Sequence, residues 1–211
     1  VNKLLTDEAY TDEYARNWTT IWTNILIGRN GGVDGRDMIS REGMQQYLGR
    51  SFLQNKPYSA MVMELVSAQG TNRPTGEDDK YNGAVNFLIG KLDDDAVQAT
   101  AQTAQVFLGL QVQCTQCHNH PFNDWKQSQF WQLNAFFQQT KARRGQMASA
   151  RGGRDQASTQ LFNTDFAGQN LDPDPKNAAI FYDLRNGTRA AAWPVFVDGT
   201  KINPSGLVSD V

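Results

Sequence analysis

The chain of 211 residues carries a formal net charge of −2, from 20 Lys and Arg against 22 Asp and Glu, and this near-neutral balance excludes a globally basic nucleic-acid binder. With 39% hydrophobic and 20% charged residues it is not a disordered tail either. The longest apolar stretches, such as Val106 to Leu110, fall far short of the ~20 residues a membrane-spanning helix needs, so a folded chain of one domain, or one and a half, is expected.

The first 140 residues read as helices separated by polar loops. Asp7 and Thr11 are candidate caps for a first helix in which Tyr14, Trp18, Ile21, Trp22, Ile25 and Leu26 recur at three-to-four-residue spacing, the stripe of an amphipathic helix, up to a stop at Gly28. Arg29 to Asp37, with Gly31, Gly32 and Gly35, reads as a loop. Ser40, followed by Arg41, Glu42 and Gly43, starts a second helix whose apolar face is Met44, Tyr47, Leu48, Phe52 and Leu53. Pro57 and Ser59 introduce a third, through Met61, Met63, Leu65 and Val66 to a stop at Gly70, and residues 71–80 form a polar loop. Asp93, Asp94 and Asp95 predict a cap and favourable charge for a long helix from about Ala96 to Val112. Its first half is Ala-rich and its second half carries Val106, Phe107, Leu108 and Leu110.

That helix leads into the chain's scarcest residues. Both Cys and both His lie within seven positions, as Cys114, Cys117, His118 and His120, so any cage or reaction that uses thiols or imidazoles is built here. Cys114-Thr115-Gln116-Cys117-His118 is C-x-x-C-H, the attachment signal of haem c. Two thiols three positions apart can add to both vinyl groups of one porphyrin, and the His after the second thiol then falls under the iron as proximal ligand. Three other readings compete. A structural zinc held by both Cys and both His lacks the usual longer loop between ligand pairs. A Cys114–Cys117 redox pair wants a thioredoxin-like context, whereas this region reads helical. A plain structural disulfide is the third.

For a haem, the sequence constrains the sixth iron position. His120 is tethered too closely to His118 to reach the opposite face of the same ring. It reads as a hydrogen-bond partner for a propionate or backbone group, or as a ligand to a haem in a neighbouring chain. The Met candidates are Met38, Met44, Met61, Met63 and Met147, beside an open site or a group from outside the chain. Met61 and Met63 are two apart on a predicted helix and face different ways, so at most one serves. Phe107, Phe122, Trp125 and Trp131 are candidate walls of the ring, each equally readable as an ordinary core aromatic.

Ser128 to Gln139, with Phe130, Trp131, Leu133, Phe136 and Phe137, predicts a deeply buried helix. Beyond it the character changes. Lys141 to Asp155 is basic and Gly-containing and reads as a solvated loop, with an anion site as the sharper alternative. Asn170, Asp172 and Asp174 superficially suggest calcium, but the prolines and the missing loop Gly argue against an EF-hand. From Ala179 to Val197, two runs flank Asn186-Gly187, which predicts a β-hairpin with a type I′ turn.

The run from Phe107-Leu108-Gly109 through Cys114-Thr115-Gln116-Cys117-His118-Asn119-His120-Pro121-Phe122 to the aromatic-rich Phe130–Phe137 closely resembles the signature of the planctomycete cytochrome c-associated domain. Weaker similarity covers Leu4 to Trp18 and Phe52 to Leu65. Trp193 to Thr200 resembles the family's exit towards a second, C-terminal domain. By position, the resemblance carries over Cys114, Cys117 and His118 as functional residues, with His120 a further family position. It implies a secreted or periplasmic, often multidomain protein, and a module entered partway along its usual length. The expected fold is mainly α: a helical haem-c domain with long irregular loops and a small C-terminal β-hairpin, divided as a haem-binding module over 1–140 and a loop-rich extension over 141–211. The expected function is one-electron transfer to a protein partner through one covalent haem c. A haem enzyme with an open distal site, acting on peroxide or a small molecule, and a structural or assembly subunit are the alternatives.

Overall fold

The computed structural model describes residues 7–33, 37–73, 80–145, 157–164 and 180–201. Its helices are α1 (Thr11–Ile27), α2 (Arg41–Leu53), α3 (Tyr58–Val66), the short α4 (Asn86–Ile89), α5 (Asp93–Phe107) and α6 (Gln127–Asn134). Strands β1 (Gly70–Thr71), β2 (Thr140–Arg144) and β3 (Thr159–Asn163) form one sheet in the order β1-β3-β2, and β4 (Ile180–Asp183) pairs with β5 (Arg189–Ala192) in a second. The fold is therefore mainly α with a small β-hairpin. Among the described residues no helix is long and apolar enough to cross a membrane. Met147 and the 170–177 stretch lie outside the described residues, as does most of the basic segment after Gly145.

Contacts divide the chain into two units, Val1–Gly90 with Ala142–Phe162, and Lys91–Lys141 with Asn163–Val211. In the first, α1 opens after a 3-10 turn capped by Asp7, whose carboxylate accepts from the Ala9 amide at 3.0 Å. Its inward side differs from the expected stripe. Tyr14, Trp18, Ile21 and Ile25 are 38–44% exposed, while Ala15, Thr23, Leu26 and Ile27 are buried. Small and aliphatic residues let α1 lie close to α2, and the bulky aromatics form a rim, with Tyr14 edge-on to Phe52 at 6.2 Å and Trp22 against Tyr58 at 5.9 Å.

Ser40 caps α2 as the sequence indicates, accepting from the Gly43 amide at 3.1 Å. Met44, Leu48, Leu65, Val85, Phe87, Leu88 and Ile89 are buried in the core of this unit. Two buried asparagines stitch the loops around that core. Asn86 accepts from the Ser40 amide (2.6 Å) and donates to the Gly83 carbonyl (2.9 Å). Asn72 donates to the Met38 carbonyl (2.6 Å) and accepts from the Thr159 amide (2.7 Å). Each satisfies backbone groups that burial would otherwise leave unpaired.

The second unit corrects several boundaries. α5 ends at Phe107 rather than at Val112, and the helix after the motif ends at Asn134, followed by a 3-10 turn over Ala135–Phe137. The Asp triplet is no simple cap. Asp94, Asp95 and Ala96 take left-handed φ values of 50°, 55° and 59°, each costing about 1 kcal/mol or more, and the Asp95 carbonyl is held by Asn134 (2.8 Å) and Gln138 (3.1 Å). Lys141 to Arg144 forms part of β2 rather than a loop. The hairpin sits at Asn186-Gly187, but its turn is not type I′, which requires positive φ at both central residues. Only Gly187 is left-handed (φ 81°), and Gly187 N donates to the Leu184 carbonyl at 2.9 Å, which makes a type I turn closed by a left-handed Gly.

A Cβ built on Gly83 would stand 2.2 Å from the Gly43 carbonyl oxygen, whereas one on Gly49, inside α2, meets only Thr19 Oγ1 at 3.5 Å. Gly83→Ala should therefore destabilise by about 1–3 kcal/mol through overpacking. Gly49→Ala should be neutral or stabilising by up to about 1 kcal/mol through helix propensity. Urea unfolding of the two variants, side by side, checks the opposite signs.

Lys91 is buried, and burial pushes its ammonium from 10.5 down to about 7. Between those values the unfolded chain binds more protons than the folded one, so this residue's contribution to stability rises with pH from about 7 to about 10 and is flat below 7. The wild-type Tm should climb between pH 7 and pH 9 more steeply than that of Lys91→Met, measured by calorimetry in matched buffers.

Candidate functional site

The C-x-x-C-H segment lies on a 3-10 turn, Gln113–Gln116, that follows the end of α5. Thr115 anchors it from inside. The residue is fully buried, and both its amide (2.9 Å) and its hydroxyl (2.6 Å) donate to the Val112 carbonyl. A 3-10 helix has three residues per turn, so side chains at i and i+3 eclipse. Cys114 and Cys117, the latter at the C-cap, thus share an edge, and both thiols are exposed and unpaired.

The two histidines are held in opposite tautomers. His118 Nδ1 lies 2.7 Å from the Asn119 carbonyl oxygen, which can only accept, so Nδ1 carries a proton and, in the neutral ring, Nε2 keeps its lone pair. His120 Nδ1 instead accepts from the amides of Phe122 and Asn123, each at 3.2 Å, which places the proton on Nε2. His120 is thereby committed to shaping the turn, a role strengthened by its own amide donating to the Trp125 carbonyl at 2.8 Å. Of the two imidazoles, only His118 offers an available nitrogen lone pair at the motif.

One helix secures the whole segment. The Gln116 carbonyl accepts from Gln127 Nε2 (3.1 Å) and Trp131 Nε1 (3.0 Å), both from α6. Gln127 also donates to the Asp183 carbonyl (3.0 Å), and its amide is taken by Asn119 Oδ1 (3.0 Å). Trp131 stacks on Tyr182 with centroids 5.5 Å apart and planes within 16°. Behind them lies the core of this unit, Ala104, Val112, Phe130 and Leu133, with Trp125 and Trp131 packed against it.

Beside His118 opens a cleft of about 760 Å³, lined by the motif loop at His118, Asn119 and Pro121, by Gln127 and Ser128 of α6, and by Tyr182, Leu184, Arg185 and Asn186 of the hairpin. This is within the ~300–1,000 Å³ range of cofactor and small-molecule sites. None of the four aromatics singled out as walls is among its lining residues. Trp125 and Trp131 serve the core, Phe107 is half-buried, and Phe122 is 92% exposed with its ring edge-on to His120 at 6.2 Å. The aromatic that does line the cleft is Tyr182. Its alternation with Ile180 on an inward-facing strand edge is the signal that would have found it. Gln127 and Arg185 carry no comparable sequence signal.

The Met candidates fall elsewhere. Met44 and Met61 are buried in the first unit, Met38 is half-buried there, and Met63 is exposed on α3, so the opposite facing of Met61 and Met63 holds. Among the described residues no group of three or more His, Cys, Asp and Glu is gathered as a metal cage.

Fold and site together define a mainly helical chain that presents a C-x-x-C-H turn from a pinned loop. Residues 1–142 match the model of PSCyt2, a protein family of unknown function (DUF1549), and the chain belongs to that family. The match takes in the whole motif and ends before the hairpin. No curated protein and no solved structure matches the chain.

Gln127→Leu removes the donor that the part-buried Gln116 and Asp183 carbonyls share and leaves Gln116 with the Trp131 indole alone. It should cost about 1–3 kcal/mol. Amide hydrogen exchange should speed up at Gly187 and Thr188 of the hairpin as well as at the motif turn, because one side chain holds both.

Proposed function

We propose that this chain is a c-type cytochrome module. Cys114 and Cys117 hold one haem c through thioethers, His118 is the proximal iron ligand, and the module passes single electrons to a protein partner. The observation that carries the reading is the donor set. Two free thiols share one exposed edge, and the following imidazole has its Nδ1 proton engaged and its Nε2 lone pair available, beside a cleft of cofactor size. A thioredoxin-like redox-pair reading fits less well, since the motif sits on a 3-10 turn that no strand immediately precedes. When bound, the haem supplies a one-electron couple between ferrous and ferric iron. The chain's own contribution is to fix the turn through Thr115, Gln127 and Trp131, to orient His118 through Asn119, and to shield one side of the site with the hairpin. Because such attachment follows export, the proposal includes a periplasmic or extracellular location.

A second reading, a haem with an open sixth position able to bind small molecules, is favoured by one observation. Among the described residues lining the cleft there is no Met, and His118 is the only His.

Both readings meet in one experiment. The chain is expressed with an export signal in a host that carries haem-maturation machinery, and its intact mass and reduced visible spectrum are recorded. One added haem is expected, lost in Cys114→Ser/Cys117→Ser and retained without a normal proximal ligand in His118→Ala. An unmodified mass in the exported wild type, or haem attachment in cytoplasm-retained protein alone, would sink the proposal. Rapid carbon monoxide binding by the ferrous form selects the open-site reading. A sulfur-to-iron charge-transfer band in the ferric near-infrared spectrum selects Met ligation.

A further inference from the structure

The cleft beside His118 has a single fixed charge. Of its nine lining residues, Arg185 alone bears a formal charge at neutral pH, and no carboxylate is among them. Arg185 sits in the type I turn between β4 and β5, a turn closed by Gly187 and by the Leu184 amide bonding the Thr188 carbonyl at 2.8 Å. Its neighbours are already occupied. Asn186 Oδ1 accepts from the amide (3.0 Å) and hydroxyl (2.7 Å) of Thr188, and Arg189 pairs with Asp183 at 3.5 Å. Arg185 enters no ion pair among the described residues. Gln127 ties the strand just before this turn to the motif turn, through the Asp183 and Gln116 carbonyls, so the guanidinium is carried on a backbone fixed to the haem motif.

A haem is an apolar ring with two carboxylates at one edge. A site for it needs apolar contact and a cation, and the cleft supplies Pro121, Tyr182 and Leu184 together with Arg185. Guanidinium matches carboxylate geometry with two parallel N–H donors, which an ammonium does not. We infer that Arg185 is the positioning residue that binds a haem propionate, an assignment that rests on the haem reading above. A fixed positive charge at that edge disfavours ferric relative to ferrous iron, so Arg185 also raises the reduction potential of the site.

The test uses the exported, haem-loaded full chain and its Arg185→Gln, Arg185→Lys and Arg189→Gln variants. Haem loading is measured first by mass and by the pyridine haemochrome spectrum, and midpoint potentials follow by spectroelectrochemistry. Arg185→Gln should lower the reduced-to-oxidised ratio at fixed ambient potential about tenfold, a fall of about 59 mV for one electron. Arg185→Lys should recover most of this, and Arg189→Gln, with the same loss of net charge, should leave the potential in place. If Arg185→Gln matures poorly while Arg185→Lys loads normally, the same anchor is reported at assembly. A loaded Arg185→Gln protein with the wild-type potential, or an equal shift in Arg189→Gln, overturns the inference while the haem reading stands. A wild type without haem overturns both, and the loading measurement tells the two failures apart.

Discussion

A single carbonyl organises the motif. The Gln116 oxygen, in the middle of C-x-x-C, receives two side-chain donors from α6, one the buried amide of Gln127 and the other the indole of Trp131. A short 3-10 turn has little stability of its own, and its backbone groups would otherwise face water or each other. With both lone pairs of that oxygen taken by a helix that is itself rooted in the Phe130 and Leu133 core, the turn inherits the rigidity of the unit. Thr115 then points inward, and the two thiols can only point out.

The same two side chains extend the order outward. Gln127 reaches the Asp183 carbonyl, and Trp131 lays its face on Tyr182, so the hairpin is registered against the motif by one hydrogen bond and one stacked pair. Ile180, Tyr182 and Ala192 on its inward face close a small core with Ala135. The site is thus assembled from segments far apart in sequence, the motif loop and α6 on one hand and residues 180–192 on the other, within one contact unit.

How much of this could be read from the residues alone follows from the range of the interactions. Local chemistry was legible: Ser40 as a cap, Pro57 before α3 and the hairpin at Asn186-Gly187. Features set by distant partners were not. The Asp triplet reads as a helix cap until the side chains of Asn134 and Gln138 hold the Asp95 carbonyl in a left-handed stretch. Lys141 to Arg144 looks like a solvated loop until it joins a sheet with β3. The α1 stripe misled for a different reason. Periodicity locates an apolar face but does not say how much of it the neighbouring helix covers, and here Ala15 and Leu26 make the close approach while Trp18 and Ile25 stay at the rim. In the site, the motif residues were visible, but Gln127 acts across 11 residues to Gln116 and 56 to Asp183, distances at which no spacing pattern survives.

The edge shared by Cys114 and Cys117 also sets a clock. The eclipsed i, i+3 placement that suits two thiols to a pair of electrophiles suits them equally to each other, and both are open to solvent. In an oxidising compartment, thiolate attack and disulfide closure compete for the same two sulfur atoms, at rates governed by access and by the fraction ionised. No barrier of burial delays the unproductive branch. On the haem reading proposed above, attachment is therefore decided by order of arrival: the vinyl groups of the porphyrin must reach the reduced thiols before an oxidant does.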